Sequence, residues 1–363
     1  MAGSNVRNGN SSRLYGKPFR SRVSLRRGCM LKTIITLLIV VLAVLLVASF
    51  ALWSCSPRGD LGKVESITIG GPTSDAAALI FTAEDRLFFA ANGINSSTKP
   101  YDTGLAAING LLNREIDIAG SAEYPFVAKA FENGNISIIG SFSRTYNEYL
   151  VWRADKGIKS VEDLKGKKIG LPRRTLPEFY LGRFLDLHGI NIRDVTLINL
   201  TPAQAAGAIA NKNVDAVVIW EPYVSQIREQ QTNGITSWSV HSGQAMYGVL
   251  ACRNDWIKQH PELLKRVLNS LAQAEEYMVR HPTEAKAILK KQYQYDDAYV
   301  ARVWPEHQFS LSLDQSLILA MEDEARWMIK NNLTTEKHIY DFMNYIYVDG
   351  LKAIKPETVS IIR

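Results

Sequence analysis

The chain has 363 residues, of which 42 are Lys or Arg, 36 are Asp or Glu and three are Cys. Eight of the basic residues (Arg7, Arg13, Lys17, Arg20, Arg22, Arg26, Arg27 and Lys32) lie in the first 32 positions with no acid among them; setting those eight aside leaves 34 basic against 36 acidic residues. The net charge of +6 therefore belongs to one tail and gives no support to a nucleic-acid partner, and Cys29, Cys55 and Cys252 are too few for a disulfide framework.

Residues 1–32, rich in Ser, Asn, Gly and Arg, show no apolar period and are predicted to be a disordered tail. Thr33 to Trp53 follows, 21 residues without a charge. As a helix it would span about 32 Å, enough to cross a hydrocarbon core of ~30 Å. Its long basic leader points to a retained transmembrane anchor, 33–53, rather than a cleaved signal. The positive-inside rule then leaves the tail in the cytoplasm and the remainder outside, as a single-pass membrane protein. Leu52-Trp-Ser-Cys55 resembles a lipoprotein-processing box; the alternative is that Trp53 belongs to an interfacial aromatic belt and Cys55 is incidental. Either way the domain is tethered to a membrane.

Beyond the anchor one phrase occurs twice, 98 residues apart. The first copy has Ile67-Thr-Ile-Gly70, Gly93-Ile-Asn95, the Ala-rich run from Ala106 to Leu112 and Asn113-Arg-Glu-Ile-Asp117 leading to Glu123-Tyr-Pro125. The second has Lys168-Ile-Gly-Leu171, Gly189-Ile-Asn191, Ala203 to Ala210 and Asn211-Lys-Asn-Val-Asp215 leading to Glu221-Pro-Tyr223. Short apolar runs alternating with longer helical ones predict βαβ units on parallel sheets. The fold class is therefore α/β, with two Rossmann-like lobes facing a cleft. Tyr149 to Arg153 and Gly248 to Arg253 are apolar runs ending in Arg that bracket the second copy, and are the expected hinge crossings. Lobe one is then 64–150 plus 253–350, and lobe two 153–250. Helices are predicted over Pro261–Met278, Pro282–Gln292 and Gln315–Asn331 from three-to-four apolar spacing.

These stretches, with Ser160-Val-Glu-Asp-Leu-Lys-Gly-Lys-Lys-Ile-Gly170, Glu115 to Gly120, the Trp-Glu-Pro-Tyr at 220–223, His260-Pro-Glu-Leu and Trp327-Met, make the chain similar to substrate-binding proteins of ABC importers. The group it resembles binds nitrate, sulfonates, taurine and thiamine precursors. The resemblance runs from Val64 to Asp349. It implies a type II periplasmic-binding-protein fold that closes on a small solute and delivers it to an ABC permease and its ATPase.

Ligands of open α/β sheets bind beyond the carboxyl ends of strands, where helix N-termini point free N–H groups. That rule selects Thr73, Ser74 and Asp75; Ser121, Glu123 and Tyr124; Arg144; Arg174 and Thr175; and Trp220 with Glu221 as candidate ligand-binding residues. Arg173 and Arg174 stand where the group as a whole favours Gly with Ser or Thr. Their forks suit a carboxylate, sulfonate or phosphate, or else are solvated surface charge. Trp220 beside Glu221 suits an amine or an aromatic ring. Tyr124, Tyr146 and Tyr223 serve equally well as lobe-packing residues.

The six histidines are scattered and there is no HExxH, GxSxG, CxxC or GxxxxGK[ST] pattern, so an enzyme is disfavoured, no metal or cofactor is expected, and the absence of GxGxxG sets dinucleotides aside. Pyrimidine-forming enzymes that resemble binding proteins use a cysteine-rich iron site, and this chain has no cysteine cluster. A sensor remains the other class, in which a tethered clamp signals through a partner chain.

Overall fold

The computed structural model describes residues 64–132, 134–231 and 234–362. The basic tail, the apolar span 33–53 and Cys55 lie outside the described residues. Among the described residues no helix is long and apolar enough to cross a membrane.

The described residues form one compact unit with two sheets. Strands β1 (Glu65–Pro72), β2 (Ile94–Tyr101), β3 (Ile118–Ala122) and β4 (Ile136–Thr145) begin the first. The second consists of β5 (Glu148–Arg153), β6 (Lys168–Leu171), β7 (Thr196–Asn199), β8 (Ala216–Trp220) and β9 (Ile235–Ser239). β10 (Met246–Arg253) and β11 (His307–Gln308) return to the first. The strand orders are β11-β4-β10-β3-β1-β2 and β7-β6-β8-β5-β9.

The repeat accounts for the parallel part of each sheet. β1 lies parallel between β2 and β3, and β6 parallel between β7 and β8. One aspartate fixes each copy. Asp117 Oδ2 accepts the N–H of Thr68 at 2.9 Å while its own N–H donates to the Thr68 carbonyl at 3.0 Å. Asp215 does the same with Lys168, at 3.0 and 2.8 Å. Before each aspartate the turn passes through a left-handed residue, Arg114 at φ 63° and Lys212 at φ 59°. The βαβ units are parallel as expected, and each sheet is completed by antiparallel strands: β10 runs antiparallel to β3 and β4, and β5 antiparallel to β8 and β9. A strand that enters directly from the other sheet has no helical crossover to reverse it, so it pairs antiparallel.

The chain changes sheet at residues 146–147 and again at 240–245. Each strand expected at a crossing lies within one sheet, β5 in the second and β10 in the first, and the passage comes just before it.

Helices cover both sheets: α1 (Ala78–Asp85), α2 (Gly104–Leu112), α3 (Glu123–Glu132), α4 (Leu176–Leu187), α5 (Tyr223–Gln230), α6 (Pro261–Arg280), α7 (Pro282–Tyr293), α8 (Asp297–Val303) and α9 (Gln315–Lys330). α6 starts on Pro261, whose missing N–H is free of cost at a first turn, and buries Leu263, Leu264, Val267, Leu268, Leu271, Ala274 and Met278 on one face against α1. Each fully buried Leu there contributes about 1.5–3 kcal/mol. α9 packs on α3 and also reaches α4 of the second sheet's lobe, where Tyr124, Phe179 and Trp327 form an aromatic cluster with centroids 5.6–6.2 Å apart.

Candidate functional site

A cavity of ≈ 320 Å³ opens between the sheets. It lies at the carboxyl ends of β1, β3, β6 and β8, and residues of both sheets line it. Pro72, Thr73 and Ser74 follow β1; Ser121 ends β3; Thr175 and Leu176 open α4; Trp220 ends β8. Thr103 and Gly104 bring in the start of α2, where the Thr103 hydroxyl accepts the Ala106 N–H at 3.1 Å. Gly104 is required by packing, because a Cβ there would lie 3.0 Å from Ser121 Cβ and overlap its hydroxyl. Helix starts directed at one space give it a positive potential without a cationic side chain. Ile80, Phe81, Phe142, Pro177, Met246 and Tyr293 supply an apolar wall. The volume suits a solute of a few to a dozen heavy atoms.

Three buried side chains on this lining have an atom with no hydrogen-bond partner among the described residues: Ser121 Oγ, Asn147 Oδ1 and Glu148 Oε2. Burial holds the Glu148 carboxyl well above the ordinary carboxylate range, with the neighbouring Glu123 adding to the effect. Burial also pushes Glu123 up to about 8, against the opposing Tyr247 N–H, which donates to its Oε2 at 3.1 Å. Glu324 on α9 is raised in the same way, again with Glu123 as a neighbour. Lys99 is on the lining, but its ammonium is paired with Glu115 at 2.6 Å on the exposed side. No arginine lines the cavity among the described residues. Nor, among them, do three His, Cys, Asp or Glu side chains gather as metal ligands.

Of the residues selected from sequence, Thr73, Ser74, Ser121, Thr175 and Trp220 line the cavity. The Thr175 hydroxyl donates to the Pro172 carbonyl at 2.5 Å, which fixes the turn into α4. Asp75, Glu123, Tyr124, Arg144, Arg174 and Glu221 do not line it, each for a visible reason. The Asp75 carboxylate is fully buried, accepts the Tyr299 hydroxyl at 3.2 Å and lies 3.2 Å from His307 Nε2. Glu123 is turned toward the Tyr247 backbone, and Tyr124 stacks on Phe179. Arg144 lies over the Tyr247 ring, 4.9 Å from its centroid. Arg174 sits at φ 60° and pairs with Glu132 of α3, while Arg173 pairs with Glu178 at 2.8 Å. Glu221 accepts both the N–H and the hydroxyl of Ser225 at the start of α5, with Arg302 of α8 at 3.5 Å and Arg228 at 3.8 Å.

Sequence reasoning missed Glu148, Phe142 and Tyr293, while Asn147 closes the loop 143–147 that the strand-end rule selects. No local sequence pattern marked Glu148: it is the first residue of β5 and the direct antiparallel neighbour of Trp220, a relationship that the strand register alone makes.

The chain is similar to known proteins in sequence and in fold. The profile of the family described as NMT1/THI5 like matches residues 75–285. A Bacillus subtilis protein named for aliphatic-sulfonate binding is 26% identical over 306 residues, 82% of this chain and 91% of the relative. The taurine-binding periplasmic protein of Escherichia coli is 24% identical over 223 residues, 60% of this chain and 68% of the relative. The solved alkanesulfonate-binding protein SsuA of Xanthomonas axonopodis, bound to MOPS, has the same fold at a TM-score of 0.70 and 19% identity, covering 79% of this chain and 99% of the other. The two-sheet arrangement is thus the periplasmic-binding-protein fold.

Proposed function

The chain belongs to the NMT1/THI5-like family, and from that premise we propose that it is an extracytoplasmic solute-binding protein that captures a small sulfonate-like or related oxyanion solute for an ABC importer. The observation that carries this reading is the cavity between the sheets, where hydroxyls, helix starts and an apolar wall converge from both sides. Named relatives that bind aliphatic sulfonates and taurine support the solute class.

In this reading the chain does no chemistry on its solute. The lobes bend at residues 146–147 and 240–245, close on the solute, exclude water and so strengthen each polar contact. The closed form is presented to a permease and its ATPase, and the span 33–53 tethers the clamp beside them. Thr73, Ser74, Ser121 and the start of α4 after Thr175 meet the oxyanion, and Trp220 covers the organic part.

A second reading has one observation in its favour. Trp220, Asn147 and Glu148 together also suit a flat nitrogen heterocycle such as a thiamine-precursor pyrimidine. A thermal-shift screen separates the two, using alkanesulfonates, taurine, nitrate, bicarbonate, amino acids, polyamines and aminopyrimidines. Ligand at a hundredfold excess over Kd adds ~2.7 kcal/mol. The proposal expects a saturable shift with alkanesulfonates or taurine, and mass spectrometry of the recovered solute should find it unchanged. A shift with aminopyrimidines alone would favour the second reading. No shift with any compound would point to a sensor or protein-binding role.

A further inference from the structure

We propose that Glu148 is the specificity-determining residue of the cavity, acting as a neutral carboxylic acid that donates a hydrogen bond to the anionic head group of the solute. This deepens the sulfonate reading and rests on it.

The cavity poses a chemical problem that Glu148 resolves. An oxyanion held there finds no arginine on the lining among the described residues, and Lys99 is already paired outward with Glu115. The groups left to meet it are hydroxyls, the side-chain amides of Asn147 and Gln292, helix starts and a carboxyl. An ionised carboxylate would repel the solute in a space of low dielectric. A protonated one is a strong donor, and a buried acid kept neutral in this way is an established kind of hydrogen-bond donor.

The geometry places the group where a donor is needed. Glu148 is 3% exposed, lines the cavity, and has no partner for Oε2 among the described residues. Ser121 and Asn147, whose Oγ and Oδ1 are likewise enclosed and unpartnered, share the lining, so three polar side chains with unused hydrogen-bonding capacity stand at one wall. Trp220 lies directly opposite Glu148 in the β5–β8 register and therefore projects from the same face, bringing an aromatic wall beside the donor.

The charges around Glu148 favour the proton. Glu123 faces it from α3, and Glu324 of α9 stands behind Glu123. Tyr180 of α4 feels both Glu148 and Glu123, and its hydroxyl donates to the Gln244 carbonyl at 3.0 Å. His241 follows Val240, whose N–H donates to the Glu148 carbonyl, and burial lowers the His241 pKa, which favours its neutral form. Trp220 on β8 carries no charge, and the next residue, Glu221, is paired with Arg228 and Arg302. Arg144 of β4 is stacked over Tyr247. Desolvation comes first among the effects that raise Glu148.

The test uses 1-butanesulfonate, which stays anionic at every accessible pH. Its Kd is measured by calorimetry between pH 5.5 and 9 for the wild type, Glu148→Gln and Glu148→Ala, with a thermal melt of each. The wild type should weaken up to about tenfold per pH unit once Glu148 loses its proton. Glu148→Gln, which keeps an N–H donor, should bind within about threefold of the wild type's low-pH value and show a flat profile. Glu148→Ala should bind at least about tenfold more weakly while still folding. Wild-type binding that tightens as pH rises, or Glu148→Ala that binds as tightly as the wild type, would overturn the donor role and leave the sulfonate reading standing. A Glu148→Gln variant that keeps the pH slope would do the same and assign the slope to Glu123. No binding of the sulfonate by folded wild type at any pH would overturn the sulfonate reading and this role together.

Discussion

Gly182 of α4 lies against the indole of Trp327 on α9, so closely that a Cβ at position 182 would sit 2.7 Å from the Trp327 Cε2 atom. The contact joins the second sheet's lobe to the C-terminal helices that pack on the first. Around it lie the ion pairs Arg183 with Asp323 and Lys330 with Asp186, the latter at 2.9 Å. The glycine is what lets the two helices meet.

Gly182→Ala should therefore destabilise the protein by about 1–3 kcal/mol, the usual cost of overpacking. Chemical unfolding measures it, and Trp327→Phe in the same chain should recover part of the stability. An alanine variant as stable as the wild type would mean that the helices separate freely at this point.

Trp220→Ala should weaken solute binding by about tenfold or more, equivalent to ~1.4 kcal/mol, in a variant that still folds. Trp220 is half-buried at the cavity edge, with its ring 5.8 Å from that of Tyr223, and packs on the second sheet's apolar cluster only from its rim, so some stability is lost but the fold is kept. Unchanged affinity in the folded variant would remove it from the site.

Glu221→Ala should act in the opposite sense. The carboxylate caps α5 through Ser225 and is flanked by Arg302 and Arg228, so removing it should cost about 1–3 kcal/mol of stability and leave the groups that meet the solute in place. A large fall in affinity at full stability would show instead that Glu221 touches the solute directly.

These two neighbours show how much of the site was legible. The repeat fixed both lobes because Asp117 and Asp215 make the same pair of backbone bonds in each copy, and a recurring local geometry leaves a recurring local sequence. Trp220 was readable as a strand-end aromatic. Its chain neighbour Glu221 looked like its partner, but it lies beyond the end of β8, in the turn into α5, where its carboxylate caps that helix through Ser225. The acid on the same face is Glu148, 72 positions earlier in the sequence, and only the β5–β8 register brings it there. Arg174 looked available for an anion because Glu132, its partner, lies on another helix. Asp75 was likewise claimed by Tyr299 and His307, more than two hundred residues away.

Stability should fall as pH rises from about 4.5 to about 8. Glu123, with a folded pKa pushed up to about 8 from 4.5, keeps its proton in the native state after the unfolded chain has released its own. The native state then binds more protons across that window, and each such group lowers stability by up to about 1.4 kcal/mol per pH unit. The stabilising contribution is whole below the unfolded value and gone above the folded one. Glu123→Gln should flatten the profile in urea unfolding between pH 5 and 8.5. An unaltered slope in that variant would place the titration on Glu148 or Glu324.

The central claim is that a small oxyanion solute sits between the two sheets, and calorimetric titration of the purified protein with 1-butanesulfonate and taurine near pH 6 tests it most directly. The account predicts saturable binding at one site per chain, weakened about tenfold or more by Trp220→Ala. Absence of binding by folded protein, or binding indifferent to Trp220, would contradict it.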